Sequence, residues 1–365
     1  MNRCIFNLML VVTVLMTAIS CSDSSYIEEP IGPSVPPGHG SGPVAGLYVL
    51  CSGNMGNNDA ALAYHDAVTR QTSYNVFAQV NGKKLGDTGN SMVIYGKKMY
   101  IAVSGSAVIF VTDLGGNLIK EITVKGKDAN MSPRHFTVAQ GKVYVTFMEG
   151  YAAAIDTLDY SVKSVEVGPM PEGIAYANKK LYVANSDGYN WTYGKTVSVI
   201  DAATFSVIKT LEVATNPQTL HAVSDKKVYL VSLGDYGDIP AKLQKINTVD
   251  DSVTEIEGIE PDCMAIGKDG MAYIISCKYD ANWNRMVSYS VFDTSKDKDM
   301  GEFIPAEEIP GGYCIFAEPV TGDVYIGTTD YTSNGDVYVV SKEGKVVRKF
   351  DAGALNPIAI CTVLR

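Results

Sequence analysis

A tyrosine inside a hydrophobic, strand-like stretch, directly after a short polar turn, recurs seven times along the chain. These residues are Tyr48, Tyr100, Tyr144, Tyr182, Tyr229, Tyr273 and Tyr325. Subtracting neighbouring residue numbers gives steps of 52, 44, 38, 47, 44 and 52. Repeats of roughly 40 to 50 residues are typical of the blades of a β-propeller. The chain is therefore expected to contain seven copies of one small β-sheet.

Each copy contains four strand-like segments, which we name A to D with A innermost. In the best-preserved copy they are residues 171–177, 180–185, 196–201 and 207–213. They are rich in β-branched and aromatic residues and are bounded by Gly, Asn, Asp or Lys turns, as antiparallel strands are. The matching C segments end at Asp66, Asp113, Asp156, Asp201, Asn247, Asp293 and Ser341.

The two ends of the repeat array complement each other. The first tyrosine segment has no A segment before it, and residues 357–363 form an A segment with no B, C or D segment after it. The C-terminal strand should therefore pair in blade 1 and close the ring, which removes an open sheet edge. We predict an all-β fold, a seven-bladed β-propeller with four antiparallel strands per blade, over residues 46–365. No helix is predicted.

The first 20 residues have the form of a secretory signal. Arg3 precedes an apolar stretch, residues 4–16, and small residues then lead to Cys21. The stretch is too short to span a bilayer comfortably. A cysteine at this point resembles the lipobox of bacterial lipoproteins, in which the signal is cut before the cysteine and the cysteine is acylated. We expect lipidation of Cys21 to anchor the protein to the membrane; the alternative is a secreted protein with an incidental cysteine.

Residues 21–45 are predicted to be a tether. Their acidic start resembles the surface-export signal of Bacteroidota lipoproteins, which favours an outer-membrane protein exposed on the cell surface over a periplasmic one. Five prolines interleaved with glycines follow, and such a segment stays extended because it cannot pack a core. The tether would hold the propeller away from the membrane.

Composition excludes one class of partner. The formal net charge is −10 and the pI is about 5.0, whereas a nucleic-acid-binding protein presents a basic face. After removal of Cys4 with the signal and lipidation of Cys21, five cysteines remain, all on predicted A or B strands: Cys51, Cys263, Cys277, Cys314 and Cys361. Their spacing matches no zinc motif. Buried free thiols are expected, with a bridge from Cys51 to Cys361 as the alternative.

The sequence offers no clear catalytic constellation. His135 and His221 fall on A strands, where a buried or channel-lining role is expected rather than that of a general base. The aspartates that end the C strands are expected to accept hydrogen bonds from nearby backbone amides, and the repeated tyrosines to pack between blades. No catalytic residue, metal ligand or required cofactor is predicted.

The connections between strands B and C are long and irregular, whereas the A to B and C to D turns are short. The B to C and D to A connections emerge on the same face of a propeller. The long ones mix aromatic residues with Asn, Asp and Gly, as recognition loops do. Calcium binding by their oxygen-rich side chains is an alternative, although none has the spacing of a calcium loop. The candidate ligand-binding residues are Asn54, Asn57, Asp87, Arg134, Tyr189, Trp191, Tyr193, Tyr236, Tyr279, Trp283 and Tyr331. The alternative for both tryptophans is packing within their own loops.

Two stretches resemble known proteins. The segments Pro-x-x-Ile-Ala-Tyr (171–176), Lys-Lys-Leu-Tyr-Val-Ala-Asn (179–185) and Val-Ser-Val-Ile-Asp (197–201) resemble the YncE-like seven-bladed propellers. Residues 47–64 and 84–90 resemble the YncE-type surface lipoproteins of Bacteroides, which include the BtuG-type proteins. That group captures cobalamin and passes it to the TonB-dependent transporter BtuB. The resemblance implies a corrinoid bound on the loop face and an outer-membrane transporter as partner.

Three functions therefore compete. The first is capture of a nutrient, most specifically cobalamin or a related corrinoid, without chemistry. The second is an enzyme, since propellers also host lactonases and lyases. The third is a surface module that binds protein or glycan. Fold alone does not decide among them.

Overall fold

The computed structural model describes residues 42–190, 192–280 and 285–365. They form seven four-stranded antiparallel sheets, one per blade. The A strands of blades 1 to 7 are β28 (Pro357–Leu364), β4 (Gly89–Tyr95), β8 (Pro133–Ala139), β12 (Pro171–Ala177), β16 (Pro217–Ser224), β20 (Cys263–Ile266) and β24 (Gly312–Ala317). The B strands are β1 (Val44–Cys51), β5 (Lys98–Val103), β9 (Lys142–Phe147), β13 (Lys180–Asn185), β17 (Lys227–Ser232), β21 (Met271–Tyr279) and β25 (Val324–Thr328).

The outer half of each blade follows the same order. The C strands are β2 (Ala61–Asp66), β6 (Val108–Asp113), β10 (Tyr151–Asp156), β14 (Thr196–Asp201), β18 (Lys242–Asn247), β22 (Arg285–Asp293) and β26 (Asp336–Val340). The D strands are β3 (Thr72–Ser73), β7 (Leu118–Ile122), β11 (Val162–Glu166), β15 (Ser206–Glu212), β19 (Ser252–Ile256), β23 (Lys298–Ile304) and β27 (Val346–Asp351). The predicted fold class is confirmed.

The C-terminal strand closes the ring as predicted. β28 pairs antiparallel with β1, with Cys361 opposite Tyr48 and Ile360 opposite Val49. β28 also contacts the neighbouring A strands β24 and β4, so the seven A strands form a closed inner ring.

The repeated tyrosines pack between blades, as the sequence predicts. All seven are at most 3% exposed, and Tyr100 of blade 2 lies in one apolar cluster with Val143 and Val145 of blade 3. Three of the hydroxyls donate a hydrogen bond to the next blade: Tyr48 to the Leu114 carbonyl at 3.0 Å, Tyr182 to Asp251 at 2.7 Å, and Tyr229 to Asp297. The repeated tyrosines therefore belong to the hydrophobic core, and three of them also hydrogen-bond to the next blade.

The prediction that the chain has no helix is wrong at one place. The six-residue helix α1 (Val76–Asn81) lies between blades 1 and 2, and its buried Phe77 contacts Phe110 with ring centroids 4.8 Å apart. Its flanking residues Asn75 and Gly82 both have left-handed backbones. A helix this short shows no periodicity in the sequence and depends on tertiary contacts. Two 3-10 turns, Gly188–Asn190 and Ala306–Glu308, complete the helical content of the described chain.

The cysteines are free thiols as predicted, although only two of the five are buried, and the strand-ending aspartates follow the prediction. All five cysteines of the propeller are free thiols, and Cys51 and Cys314 are buried. Cys51 lies opposite Pro357, four residues from Cys361, so the bridge considered for this pair does not form. The carboxylates of Asp66 and Asp201 accept hydrogen bonds from backbone amides two and three residues later.

Several predictions fall outside the described residues. These are the signal peptide, lipidation of Cys21, all but the last four residues of the tether, and the two loop tryptophans, Trp191 and Trp283. Strand β1 begins at Val44. Within the described ranges, no helix has the length and apolar character needed to cross a membrane.

Candidate ligand-binding site

The two faces of the propeller are built differently. On the turn face, strands A and B are joined mostly by tight turns such as residues 96–97 and 178–179. On the loop face, residues 52–60, 186–195, 233–241 and 329–335 join strands B and C. Longer connections leave room for side chains that the scaffold does not need, so the loop face is where a ligand site is expected.

A β-bulge at the start of the inner strands builds the centre of the loop face. In six of the seven A strands the pairing register shifts directly after the first residue. A bulge leaves one residue without a partner opposite and re-aims its side chain. We call the resulting set the mouth ring, because it encircles the loop-face end of the central axis; in blade 6 the residue directly before β20 takes this place. Its members are Asn90, Arg134, Glu172, Gln218, Asp262, Tyr313 and Ile358.

Three members of the mouth ring form one buried network across blades 2, 3 and 4. Arg134 donates from Nε and Nη2 to the two Glu172 carboxylate oxygens at 2.9 and 2.8 Å, and from Nη1 to Asn90 Oδ1 at 2.5 Å. The Arg134 and Glu172 side chains are 13% and 5% exposed. Burial raises the pKa of Glu172, but Arg134 and His135 outweigh it, and the net shift is downward. Glu172 is therefore held as a carboxylate.

The two inner-strand histidines lie beside this network. His135 Nε2 is 3.5 Å from Glu172, and His221 Nε2 is 3.1 Å from Thr219 Oγ1. Burial, together with the charge of His135, lowers the pKa of His221 to about 4. His221 is thus a neutral group of the inner wall near pH 7, in line with the structural role expected for it.

A second guanidinium lies on blades 6 and 7. Arg285 donates to the Gly312 carbonyl at 2.6 Å and to Asp262 Oδ2 at 3.1 Å, and its side chain is 12% exposed. Burial raises the pKa of Asp262 by more than Arg285 lowers it. The predicted site residues Tyr279 and Tyr331 lie near the Arg285 guanidinium.

Tyrosines surround these charged groups. Tyr331 meets Tyr313 of the mouth ring edge to face at 5.9 Å, and Tyr193 meets Tyr236 in the same way at 6.0 Å. Tyr189 and Tyr313 both lie near the Arg134 guanidinium. Tyr189, Tyr236, Tyr279 and Tyr331 are 49 to 56% exposed. Half-exposed aromatic rings held beside buried polar groups are characteristic of binding surfaces.

The loops hold three of these tyrosines in strained backbones. Tyr193, Tyr236 and Tyr331 have φ values of 46°, 60° and 61°. A left-handed backbone is uncommon for a bulky residue, costs of order 1 to 3 kcal/mol, and is enriched at functional sites. The acidic residues of the same loops shape them: Asp235 accepts from the amides of Gly237 and Ile239 at 2.9 and 2.8 Å. The described residues contain no group of three or more His, Cys, Asp or Glu arranged to hold a metal ion.

Asn216 is a buried amide beside Tyr236, and it acts to lower the pKa of that phenol against the larger effect of burial. It is fully buried, its Oδ1 accepts from Gln218 Nε2 at 2.7 Å, and its Nδ2 has no hydrogen-bond partner among the described residues. The corresponding residue of blade 1, Asn356, has both ends of its amide bonded, to the Gly53 carbonyl and to Thr329. A buried donor without a partner is costly and calls for an explanation.

The candidate residues of blades 1 and 2 shape their own loops. Asp87 accepts hydrogen bonds from the Gly56 amide at 3.0 and 3.1 Å and from Thr88 Oγ1 at 3.0 Å. The backbone N–H of Asn54 donates to Asp59 Oδ1 at 2.9 Å, and the backbone N–H of the exposed Asn57 donates to the backbone carbonyl of Asn54. Among the described residues, no hydrogen bond joins their side chains to the Arg134 network.

The residues predicted from the sequence include five loop tyrosines and Arg134 but no other member of the mouth ring. The missed residues are Asn90, Glu172, Gln218, Asp262, Tyr313, and, behind the ring, Asn216 and Arg285. A signal for some of them was present: Arg134, Glu172, Gln218 and Asp262 each directly follow the proline that marks the start of an A segment.

Comparison with known proteins supports the fold. A structure from Bacteroides fragilis, provisionally named a 6-phosphogluconolactonase, is 13% identical and has a TM-score of 0.61, covering 87% of this chain and 98% of that chain. A similarly named Bacteroides uniformis structure is 11% identical, with a TM-score of 0.62 and coverage of 87% and 100%. A Lactobacillus plantarum protein is 13% identical, with a TM-score of 0.58 and coverage of 88% and 100%.

Identities this low show a shared fold and no more. No curated protein matches the sequence. A family model described as "Domain of unknown function (DUF5074)" matches residues 45–329, which fits the resemblance to YncE-like propellers. The chain therefore belongs to the DUF5074 family.

Proposed function

We propose that this protein is a binding propeller that captures a polar nutrient over the mouth ring without altering it. The observation that carries the proposal is the convergence of two largely buried guanidinium groups and six tyrosines on one end of the central axis. Aromatic rings bury ligand area at low entropy cost, and anchored polar groups fix its orientation.

The state of the acid and base groups favours binding over catalysis. A general base needs a pKa near the working pH and a free lone pair directed at the substrate. Glu172 instead accepts two hydrogen bonds from Arg134 and has a lowered pKa. His221 has a pKa of about 4 and a hydroxyl partner. Both groups are better suited to holding a ligand or a neighbour than to moving a proton.

Cobalamin or a related corrinoid is the ligand we propose. A corrinoid is large, carries amide groups around its rim and presents extended apolar faces, which suits tyrosines distributed over blades 4 to 7. The resemblance of residues 47–64 and 84–90 to BtuG-type proteins supports the same ligand. Trp191 and Trp283, in the loops of blades 4 and 6, are proposed as further contacts.

The cellular setting is part of the proposal. Lipidation at Cys21 would anchor the protein in the outer membrane, and residues 21–45 would act as a tether that leaves the loop face free. We propose that the ligand passes from the mouth ring to a TonB-dependent transporter of the BtuB type.

Calorimetric titration of the purified protein with cyanocobalamin tests the proposed ligand. We expect a dissociation constant below about 1 μM, which corresponds to a binding free energy near −8 kcal/mol. Tyr331→Ala should weaken binding because it removes one ring of the Tyr313–Tyr331 pair. Val347→Ala, an exposed substitution on the outer strand β27, is the matched control. Absence of heat in the intact protein would exclude the corrinoid and direct the search to other ligands, including glycans.

A lactonase is the second candidate, favoured by one observation. Two Bacteroides structures of the same fold are provisionally named 6-phosphogluconolactonases, and they match over 98% and 100% of their length. In this chain the corresponding chemistry would have to come from His135 and Glu172. Hydrolysis of 6-phosphogluconolactone above the spontaneous rate, lost in His135→Ala, would favour this candidate over nutrient capture.

A further inference from the structure

Every charged member of the mouth ring is already neutralised by a neighbour. Arg134 is bonded to Glu172 and Arg285 to Asp262, and the other members, Asn90, Gln218, Tyr313 and Ile358, are uncharged. Two arginines and two carboxylates give a sum of zero. These four groups therefore carry no net charge, although the chain as a whole is acidic.

We propose that the mouth ring selects a ligand with no net charge, and that Glu172 and Asp262 set this selectivity by occupying two guanidinium groups that would otherwise bind an anion. The inference rests on the proposed binding function and narrows its ligand class. It also predicts that anions such as phosphorylated sugar acids are rejected.

The geometry of the Arg134 pair supports this assignment. A guanidinium binds carboxylate or phosphate best through two parallel hydrogen bonds, and Glu172 fills that arrangement at 2.9 and 2.8 Å. The remaining guanidinium nitrogen, Nη1, donates a hydrogen bond to Asn90 Oδ1. An anionic ligand would have to break this pair and leave a buried carboxylate unpaired, which is strongly unfavourable.

The Arg285 pair is the more accessible of the two. Asp262 is 29% exposed and makes one hydrogen bond to Arg285 at 3.1 Å, so its removal should leave the fold intact. Tyr279 and Tyr331 lie near the same guanidinium. A ligand can therefore reach the region through aromatic contact while the charge itself remains satisfied.

The experiment is to release the guanidinium groups and measure anion binding. Asp262→Asn and Glu172→Gln keep side-chain size and remove the negative charge. Inorganic phosphate and 6-phosphogluconate are titrated into the intact protein and both variants by calorimetry. Because one charge-assisted hydrogen bond is worth about 1.5 to 3 kcal/mol, each variant should bind the anions at least about tenfold more tightly than the unmodified protein.

The control variant is Asp336→Asn. It breaks the 2.7 Å ion pair between Asp336 and Lys349, whose side chains are 33% and 56% exposed. It releases a cation of equal charge outside the mouth ring and should not create an anion site. Thermal melts establish that each variant is folded, and Asp262→Asn remains informative if Glu172→Gln unfolds.

The outcomes separate this inference from the proposed function. Tight anion binding by the unmodified protein would overturn the inference, and so would equal, weak binding by the unmodified protein and a folded Asp262→Asn. A gain in Asp262→Asn but not in Asp336→Asn supports it. Cyanocobalamin is titrated in parallel: if it gives no heat while Asp262→Asn gains anion binding, the corrinoid proposal fails and the charge selectivity stands.

Discussion

Removing one hydroxyl between blades 5 and 6 should weaken the propeller by a predictable amount. Tyr229 is fully buried, and its hydroxyl lies against Asp297 and 3.2 Å from the Thr294 carbonyl of the next blade. In Tyr229→Phe the ring keeps its edge-to-face contact with Phe292, with centroids 5.6 Å apart. Asp297 also keeps its bonds to Lys227 and Lys245.

The expected loss is therefore one hydrogen bond to a charged acceptor, without an orphaned carboxylate. Such a bond is worth about 1.5 to 3 kcal/mol. Because the two lysines remain, we expect Tyr229→Phe to lower the free energy of unfolding by about 2 kcal/mol, at the lower end of that range.

The same repeat supplies a matched control. Tyr144 occupies the equivalent position in blade 3 and is 1% exposed, but its hydroxyl has no hydrogen-bond partner among the described residues. Burying a hydroxyl without a partner is unfavourable. Tyr144→Phe should therefore leave stability unchanged or raise it by up to about 1 kcal/mol.

Urea unfolding followed by circular dichroism measures both variants against the unmodified protein. The difference between them should be at least about 2 kcal/mol, with equal denaturant slopes. Equal destabilisation by the two substitutions would refute the reasoning, since it would mean that ring packing, and not the inter-blade hydroxyl bond, responds to the change.

Three further predictions concern acid stability, the ligand and the thiols. Burial alone would raise the pKa of Asp297. Its contacts with Lys245, Tyr229 and Lys227 outweigh burial and lower that pKa to about 2, so the stability that this carboxylate contributes is complete above about pH 4 and is lost as the pH falls through 2. Asp297→Asn should flatten this part of a plot of stability against pH, and an unchanged plot would contradict the prediction. Trp191→Ala and Trp283→Ala should abolish ligand binding in calorimetry while barely changing the melting temperature; lost stability with retained binding would assign both rings to loop packing. Burial raises the pKa of the Cys51 thiol, and it raises the pKa of Cys314 to about 12, so both should resist a disulfide reagent until urea unfolds the protein; rapid labelling of either in the native state would contradict this.

The sequence was sufficient for the architecture because the repeat imposes it. Seven tyrosine segments, each followed by a C segment ending in Asp, Asn or Ser, specify strand count, order and the closing role of residues 357–363. Each blade packs on the next through side chains at the same positions of the repeat, so the periodicity of the sequence indicates this packing directly. The helix Val76–Asn81 has no such repetition, and it exists because Phe77 and Asn81 find partners in blade 2.

The candidate site was only half visible in the sequence. The loop tyrosines are recognisable from the composition of the loops. The loop backbones, including the left-handed conformations of Tyr193, Tyr236 and Tyr331, determine which of these tyrosines are in contact. The pairing of Arg134 with Glu172 joins residues on different blades, 38 positions apart. Nothing in local sequence specifies such a pair.

The sequence by itself determined that this chain closes into a seven-bladed ring, because a repeated pattern of buried and polar residues has one way to bury all its apolar faces. The tertiary structure alone decided what the ring presents at its mouth. Bulges at the start of the inner strands leave single residues without a partner in the sheet, and the contact among Asn90, Arg134 and Glu172 depends on segments from three separate blades meeting. That convergence sets the charge of the site, and through it the class of ligand proposed here.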